Sequence, residues 1–303
     1  MILKELPKKE MQALLSGDGL SFRAGRFSVK LQSNITSIYN GVAHLYGESE
    51  ALFQQPADFN VSIKKSTGLR AFIRPNAQFL FNGIKPFTPL PLNQAFPLLE
   101  WGLNWCVTNH SHQYLVIHAA VVEKNGYALI LPGQPGSGKS TLCAALVERG
   151  GWRLLSDELT IITLNGQNIL ANPRPISLKN QSIDIVKGIS DVTRFSPVVK
   201  DTIKGSVAHL QAPKISLDNY CTPASPCLVV YPKYQKGINS YIQELSSGES
   251  FIRLADHSFN YSILGLEGFK ALSALHDRVS CYEYCYDGNL DEALSLMDSL
   301  LPS

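Results

Sequence analysis

Residues 127–142, YALILPGQPGSGKSTL, indicate the fold class of this chain. The apolar run from Tyr127 to Leu131 is predicted to form a strand, and the glycine-rich loop after it leads into a predicted helix from Thr141 to Glu148. A second apolar strand is predicted from Trp152 to Leu155. This order of strand, loop, helix and strand is typical of an α/β fold. The unbroken apolar run further indicates a sheet that is covered on both faces.

The loop between strand and helix fits the phosphate-binding pattern G-x-x-x-x-G-K-[ST]. Glycines in such a loop let backbone N–H groups turn toward phosphate oxygens, and the positive end of the following helix adds to the attraction. We expect ATP and Mg²⁺ as cofactors, with Lys139 on the β- and γ-phosphates and the Ser140 hydroxyl on the metal. The predicted nucleotide-binding residues are Gly133, Gly136, Ser137, Gly138, Lys139, Ser140 and Thr141. The alternative is a chance glycine-rich turn with an exposed lysine.

Two acids, Asp157 and Glu158, follow the second apolar strand, and Asp157 lies 18 residues after Lys139. Ligands of open α/β sheets gather at the carboxyl ends of the strands, so both acids are expected to face the phosphate loop. One carboxylate could hold magnesium, and the other could take a proton from an attacking hydroxyl. The alternative is a solvated acidic pair that caps the next element.

A histidine and two basic segments are further candidates. His118 lies in a strand predicted from Tyr114 to Val122, and a lone histidine among apolar residues is more often a buried core residue than a functional one. Residues 173–179, PRPISLK, hold Arg174 and Lys179 in a stiff segment. Cations of this kind stabilise the oxygens of a transferred phosphoryl group. An edge strand with surface charges is the alternative.

The loop that contains Lys204 is the second basic segment, and the alternative there is a solvated loop. A further stretch, residues 197–227, contains four prolines and is predicted to form loops between short elements. A hairpin is predicted over residues 159–170, because Asn165-Gly166 is a typical turn sequence.

Residues 1–92 are predicted to form a small N-terminal, mostly β domain, and residues 93–303 an α/β domain. A helix is predicted over residues 8–16. Short alternating runs separated by turn residues then predict a small antiparallel sheet. These runs are Phe22 to Leu31, Ser37 to Tyr46, Phe59 to Ile63 and Arg70 to Phe81, with a turn at Asn82-Gly83. Further helices are predicted from Asn93 to Thr108, over residues 182–190 and over residues 289–301.

Composition excludes several classes of partner. The 303 residues carry 27 Lys and Arg against 25 Asp and Glu, so the chain is neither a basic protein that coats nucleic acid nor an acidic tail. We expect no nucleic-acid partner. Six cysteines are too few for a disulfide scaffold in a chain of this length. No apolar run is long enough to span a membrane and the N-terminus lacks a signal-peptide core, so we expect a cytoplasmic protein without membrane contact.

Three motifs together resemble the catalytic domain of bacterial HPr kinase/phosphorylase: residues 118–120, HAA, the phosphate loop, and residues 155–158, LSDE. The chain resembles HPr kinase-related family A more closely. That resemblance includes residues 99–105, LEWGLNW, residues 173–179, and residues 204–210, KGSVAHL.

The resemblance implies a phosphoenolpyruvate carboxykinase-like P-loop kinase fold. It implies that His118 lies near the transferred phosphate and that Asp157 is the base toward a serine hydroxyl. In the mechanism that we expect, Ser140 and Glu158 hold magnesium, and the candidate cations for the transition state are Arg174, Lys179 and Lys204. The chain departs from the HPr enzyme at Glu158 and Thr141, where that enzyme has Asp and Glu, and its Arg-Gly-rich signature is not recognisable here.

The resulting hypothesis is an ATP- and Mg²⁺-dependent kinase that phosphorylates a hydroxyl of a protein or peptide. By resemblance, the context is a ribosomal peptide pathway with a small PqqD-like peptide-binding protein, and a homo-oligomer is plausible. The alternatives are a small-molecule kinase and a non-catalytic ATP-binding switch. The sequence identifies neither the phosphoryl acceptor nor the role of the N-terminal region.

Overall fold

Two sheets form the framework of the chain, one of five strands near the N-terminus and one of six strands further along. They are seen in a computed structural model that describes residues 1–53, 55–67 and 73–302. The strands are β1 (Leu20–Ala24), β2 (Phe27–Ser33), β3 (Phe59–Lys65), β4 (Asn76–Phe81), β5 (Leu90–Pro91), β6 (Tyr114–Ile117), β7 (Ala119–Lys124), β8 (Tyr127–Pro132), β9 (Arg153–Ser156), β10 (Thr160–Thr163), β11 (Ile169–Leu170), β12 (Ile176–Lys179), β13 (Val199–Thr202), β14 (Gly205–Leu210), β15 (Ser225–Tyr234), β16 (Tyr241–Glu244) and β17 (Ser280–Tyr286).

The helices lie before, between and after these strands. They are α1 (Lys8–Ser16), α2 (Thr36–Leu45), α3 (Ala95–His110), α4 (Lys139–Glu148), α5 (Gln181–Lys187), α6 (Lys214–Asp218), α7 (Ser247–Asp256), α8 (Tyr261–Leu264), α9 (Leu266–His276) and α10 (Leu290–Ser299). Short 3-10 helices span Leu3–Glu5, Leu92–Gln94 and Val192–Arg194. The result is a mixed α/β chain, as predicted. No helix in the part of the chain that is described has both the length and the apolar character to cross a membrane.

The N-terminal sheet has the strand order β1-β2-β3-β4-β5. Its strands alternate between buried and more exposed residues, which is typical of a sheet with one face on a core. Helices α1, α2 and α3 supply the other side of that core. Helix α3 belongs to this N-terminal core, although it follows the predicted domain boundary at residues 92 and 93. The division into domains stays a prediction.

The strand predicted from Ser37 to Tyr46 is wrong, because this segment is helix α2. Its buried residues are Ile38, Val42 and Leu45, whose spacing of four and three is helical rather than alternating. Gly41 lies against the ring of Phe96 on α3, and a Cβ at Gly41 would come within 2.1 Å of that ring. This glycine therefore permits close packing of the two helices instead of breaking a strand.

The helix α2 also changes the topology of the sheet. A hairpin would join β2 and β3 as antiparallel neighbours, but α2 carries the chain back across the sheet, and the two strands pair in parallel. The other pairs in this sheet are antiparallel, so the sheet is mixed rather than purely antiparallel as predicted. The predicted strand Arg70 to Phe81 is observed only as β4, and its first three residues lie outside the described residues.

The six-stranded sheet has the order β16-β17-β15-β8-β7-β9 and carries the phosphate loop at the carboxyl end of β8. Strands β8, β15 and β17 are parallel neighbours, and β7 joins β8 through a hairpin at Asn125-Gly126. One face of the sheet packs on α4, α5 and α10, and the other on β6, β10, α7 and α9. The sheet is therefore covered on both faces, as its apolar runs predict.

The strand predicted from Tyr114 to Val122 is divided at His118. Strand β6 before it belongs to a three-stranded sheet with β10 and β11, whereas β7 after it belongs to the six-stranded sheet. The backbone N–H of His118 donates to the carbonyl oxygen of His257, 2.7 Å away, instead of to a neighbouring strand. The break places His118 where the two sheets meet.

The proline-containing stretch 197–227 is more regular than predicted, since it contains β13, β14, α6 and the beginning of β15. Its prolines stand outside the elements or at an irregular position, as at Pro226 beside a bulge of β15. A sheet with the order β12-β14-β13 results, and it lies next to the acidic end of β9. The other predicted helices and the hairpin at residues 159–170 are present, with ends shifted by a few residues.

Candidate active site

The phosphate loop leaves β8 and ends at Gly138, the N-cap of α4. Gly136 and Gly138 both have a φ of 90°, a left-handed conformation that favours glycine. A Cβ at Gly138 would also come within 2.3 Å of the Tyr286 hydroxyl oxygen. The loop is anchored from the neighbouring strands, because the Tyr234 N–H donates to the Ser137 carbonyl oxygen at 3.0 Å and the Tyr286 hydroxyl to that of Gly138 at 3.4 Å.

Helix α4 begins directly after this loop with Lys139, Ser140 and Thr141. The first N–H groups of a helix have no partner within the helix, and together with the helix dipole they attract anions. Lys139 is buried, and burial lowers its pKa below the ordinary value, although Asp157 and Glu158 oppose that shift. The loop and the first turn of α4 thus form a cradle with positive character.

Asp157 lies just beyond β9 and is buried, with 4% of its surface exposed. Its Oδ2 atom accepts a hydrogen bond from the Ser177 N–H, 2.9 Å away. Burial, and next the charge of Glu158, raise the pKa of Asp157 to about 6 in spite of Lys139. A carboxyl group with such a pKa can accept a proton near neutral pH.

The pKa of Glu158 is shifted in the opposite direction to that of Asp157. Burial alone would raise its pKa, but Lys179, Lys204 and Lys139 outweigh burial and lower it to about 2. Its carboxylate accepts a hydrogen bond from the Asn104 side chain and lies 3.5 Å from the Lys179 Nζ atom. Glu158 is therefore a permanently ionised group near neutral pH, whereas Asp157 can change its protonation state.

Lys179 and Lys204 approach this site from β12 and from the loop before β14. Residues two apart in a strand share a face, so Lys179 lies on the same face of β12 as Ser177, the partner of Asp157. The Lys204 Nζ atom lies 5.0 Å from the centre of the Trp101 ring on α3. The two lysines and Lys139 thus surround the acids with positive charge.

His118 is half-buried at the edge of the same site, and its ring lies 5.4 Å from that of Phe259. Burial and next the charge of Lys139 lower the pKa of His118 to about 4, although Glu158 opposes this shift. A histidine in this state is neutral near pH 7 and offers one N–H donor and one acceptor.

Arg174 lies in a buried network rather than free beside the phosphate loop. Its Nη2 donates to Glu100 Oε2 at 2.6 Å, its Nη1 to Asn104 Oδ1, and its Nε to the Tyr46 hydroxyl at 3.4 Å. The Tyr46 hydroxyl in turn donates to Glu100 Oε1 at 2.7 Å. Asn104 also donates to Glu158, so hydrogen bonds connect Tyr46 of the N-terminal region with the acid pair.

The structure thus brings His118, Lys139, Asp157 and Glu158 into one electrostatically linked site, with Lys179 and Lys204 beside them. Sequence reasoning missed the contributions of Tyr46, Glu100 and Asn104. One signal was present: Glu100 and Asn104 are polar residues four apart in the apolar part of helix α3, so they share one face.

The oxygen atoms at the site suit Mg²⁺. Hydroxyl and carboxylate oxygens are the ligands that this ion prefers, and Ser140 and Glu158 supply them. The part of the chain that is described contains no group of three or more His, Cys, Asp or Glu side chains able to hold a metal.

Comparison with known proteins gives a local similarity. No family model matches the chain. A segment of 58 residues, 19% of the chain, is 40% identical to HPr kinase/phosphorylase of Prosthecochloris aestuarii (strain DSM 271 / SK 413), of which it covers 17%. The HPr(Ser) kinase/phosphatase of Coxiella burnetii is a structural match with 14% identity and a TM-score of 0.28, over 61% of this chain and 92% of that one.

Proposed function

We propose that this protein is an ATP- and Mg²⁺-dependent kinase that phosphorylates a serine hydroxyl of a protein or peptide. The observation that carries the proposal is the pairing of the buried carboxyl group of Asp157, with its pKa near 6, with the phosphate-loop residue Lys139. The local similarity to HPr kinase/phosphorylase supports the reaction class. Membership of HPr kinase-related family A and a P-loop kinase fold of that type are part of the proposal.

In the proposed reaction, Asp157 takes the proton of the acceptor hydroxyl, while the oxygen of that hydroxyl attacks the γ-phosphorus of ATP. The bond between that phosphorus and the β,γ-bridging oxygen breaks, and ADP leaves. Lys139 and the N–H groups of the loop hold the phosphates, and Lys179 or Lys204 neutralises charge on the transferred group. Bound Mg²⁺ would be held by Ser140 and Glu158 and would neutralise phosphate charge.

Two predicted roles take a more specific form in this proposal. Arg174 acts as a positioning residue, because its donors are engaged by Glu100, Asn104 and Tyr46. His118, neutral near pH 7, hydrogen-bonds to the transferred phosphate rather than contributing a charge.

The proposed partners follow from the resemblance described for the sequence. They are a peptide or protein substrate and a small PqqD-like peptide-binding protein of a ribosomal peptide pathway, in the cytoplasm. The protein is proposed to form a homo-oligomer. The opposed charges of the site, three lysines around two acids, suit a compact nucleotide–metal ligand better than a polyanion such as nucleic acid.

Transfer of labelled phosphate from [γ-³²P]ATP tests the proposal. The protein is incubated with MgATP and either a serine-containing peptide library or a panel of sugars and nucleosides, and the products are identified by mass spectrometry. We expect labelled phosphoserine in peptides. Label in small molecules only would indicate a small-molecule kinase, and ATP binding with no product in either set would indicate a switch protein.

The variant Asp157→Asn tests the base. We expect ATP binding within about twofold of wild type and a transfer rate lowered by at least about 100-fold, the range for loss of general base catalysis. The exposed acid Asp18 provides the control, since Asp18→Asn removes the same charge elsewhere and is expected to change neither property. Unchanged transfer in Asp157→Asn would contradict the assignment of the base.

A further inference from the structure

Three buried polar atoms, one on the proposed base Asp157 and two beside it, have no hydrogen-bond partner within the described residues. They are Asp157 Oδ1, Ser177 Oγ and His209 Nε2. Asp157, Ser177 and His209 are each less than 10% exposed, so bulk water does not satisfy these atoms. Leaving such atoms unpaired costs about 1–3 kcal/mol each. Three together therefore call for a common partner.

The three residues line the same small cavity. Its volume is about 20 Å³, and its walls also include Trp101, Asn104 and Arg174. A cavity needs roughly 10–15 Å³ to hold one water molecule, and a buried water typically makes about three hydrogen bonds. The indole Nε1 of Trp101, which also lines the cavity, is likewise buried without a hydrogen-bond partner within the described residues. The volume therefore suits one water molecule, and four unpaired atoms are the most that one water molecule can pair.

The backbone explains why Ser177 and His209 face the cavity together. They are directly opposite each other in the antiparallel pair of β12 and β14, so their side chains lie on one face of the sheet. The Ser177 N–H also donates to Asp157 Oδ2, which fixes this strand pair against the carboxyl group. The His209 ring packs against that of Phe96 on α3, with 5.6 Å between their centres.

We propose that one ordered water molecule in this cavity bridges Asp157, Ser177 and His209, and that Ser177 and His209 are thereby positioning residues for Asp157. The role as positioning residues depends on the proposed kinase function, whereas the water site does not. A water molecule has two donors and two acceptor lone pairs, so it can donate to Asp157 Oδ1 and exchange hydrogen bonds with the hydroxyl and the imidazole.

The consequence is a base with both oxygen atoms fixed. The Ser177 N–H holds Oδ2 and the water holds Oδ1, so the carboxyl plane has one orientation relative to Lys139 and the nucleotide. A misplacement of about 1 Å in a reacting group can lower a rate by about 100-fold. Loss of the water should therefore lower kcat and leave nucleotide affinity unchanged.

A high-resolution crystal structure of the nucleotide-free protein tests the water site without any turnover. We expect one density peak about 2.7–3.2 Å from Asp157 Oδ1, Ser177 Oγ and His209 Nε2. A dry cavity, or side chains turned to other partners, would overturn the proposal.

Kinetics of MgATP turnover, with the identified acceptor or with water as acceptor, test the positioning role. His209→Leu removes the ring nitrogen, whereas His209→Gln keeps a hydrogen-bonding group of similar reach. We expect kcat about 10–100-fold lower for His209→Leu and within about threefold of wild type for His209→Gln, with an unchanged KM for ATP in both. Equal losses in the two variants, or no loss in either, would overturn the positioning role.

Ser177→Ala has a matched control, because Ser49 is also a buried serine whose Oγ has no partner within the described residues. We expect Ser177→Ala to lower kcat by about tenfold and Ser49→Ala to leave it unchanged. If the wild-type protein transfers phosphate to no acceptor, the proposed function fails and the crystallographic result still decides the water site.

Discussion

The phosphate loop and the acid pair lie side by side but are built in different ways. The loop takes its shape from adjacent residues, namely glycines with positive φ and the first turn of α4. The acids at the end of β9 are held by groups from distant parts of the chain, including Asn104 of α3 and Ser177 of β12. The site thus combines a locally encoded half with a half that exists only when the whole chain is folded.

This difference predicts separate consequences for substitutions. Changes in the loop should affect nucleotide binding with little effect on stability, because residues 134–136 are exposed and the bonds from Tyr234 and Tyr286 go to backbone carbonyl oxygens, which side-chain substitutions leave in place. Changes in the buried network should have a larger effect on the free energy of unfolding than on nucleotide binding or phosphate transfer. The experiments below test that separation.

The largest effect is expected for Arg174→Met, which leaves Glu100 as a buried charge without its partner. Breaking a buried ion pair in this way costs about 3–5 kcal/mol. Urea denaturation should show that loss in the free energy of unfolding. Arg149→Met is the control, because its ion pair with Asp291 is exposed and should be worth at most about 1 kcal/mol. Equal losses in the two variants would show that the network is not the stabilising element.

Lys139→Met should have the reverse effect of Arg174→Met, with a large loss of ATP affinity and no loss of stability. We expect ATP affinity to fall by about 100-fold, which corresponds to about 2.7 kcal/mol, when the charge on the phosphates is lost. Stability without nucleotide should not fall, because burial already disfavours the charged lysine. Titration calorimetry and urea denaturation measure the two quantities, with the exposed Lys270→Met as control. A loss of stability as large as that of Arg174→Met would contradict the separation.

Tyr46→Phe removes the hydroxyl at the far end of the network and keeps the ring in the N-terminal core. Its hydrogen bond to the charged Glu100 should be worth about 1.5–3 kcal/mol of stability. Tyr39→Phe, in helix α2 directly before Tyr46 but outside the network, should change stability by less than about 0.5 kcal/mol. Urea denaturation at constant pH compares the two. If Tyr46→Phe left the free energy of unfolding unchanged, the Tyr46 hydroxyl would not be part of the stabilising network.

The smallest effect concerns pH. Burial lowers the pKa of His209, so the folded protein keeps it neutral while the unfolded chain gains a proton below about pH 6.5. The contribution of His209 to stability should therefore fall as the pH falls from about 7 to about 5, and this contribution is lost in His209→Gln. His118, with its pKa lowered to about 4, adds to the fall in both proteins, and Asp157, with its pKa raised to about 6, opposes the fall in both. The same pH dependence in both proteins would show that His209 does not titrate between the folded and unfolded states.

The sequence predicts the local half of the site well. The strand, loop and helix around Gly138 and Lys139 follow from periodicity and a contiguous motif, as does the placement of Asp157 after a buried strand. The distant half is not predictable in this way. Arg174 has two prolines as neighbours in sequence, and only the fold shows that its partners are Glu100 and Asn104.

The N-terminal region shows how one local error spreads. A ten-residue segment with Gly41 at its centre has the composition of a strand with a break, but its glycine serves close packing against Phe96. Since a helix between two strands permits a parallel pair, the wrong element also gave the wrong strand direction. Tertiary contacts, which the segment does not encode by itself, decided both.

The network around Arg174 limits how the chain can be divided into working fragments. All the motifs that carry the proposed chemistry lie after residue 111, yet the partners of the Arg174 guanidinium are Tyr46, Glu100 and Asn104. A fragment that begins at residue 112 would bury a cation without its counter-charge or leave its surroundings open to water. Two separately expressed fragments, divided near residue 111, should therefore recover a folded site only when mixed, as in complementation assays.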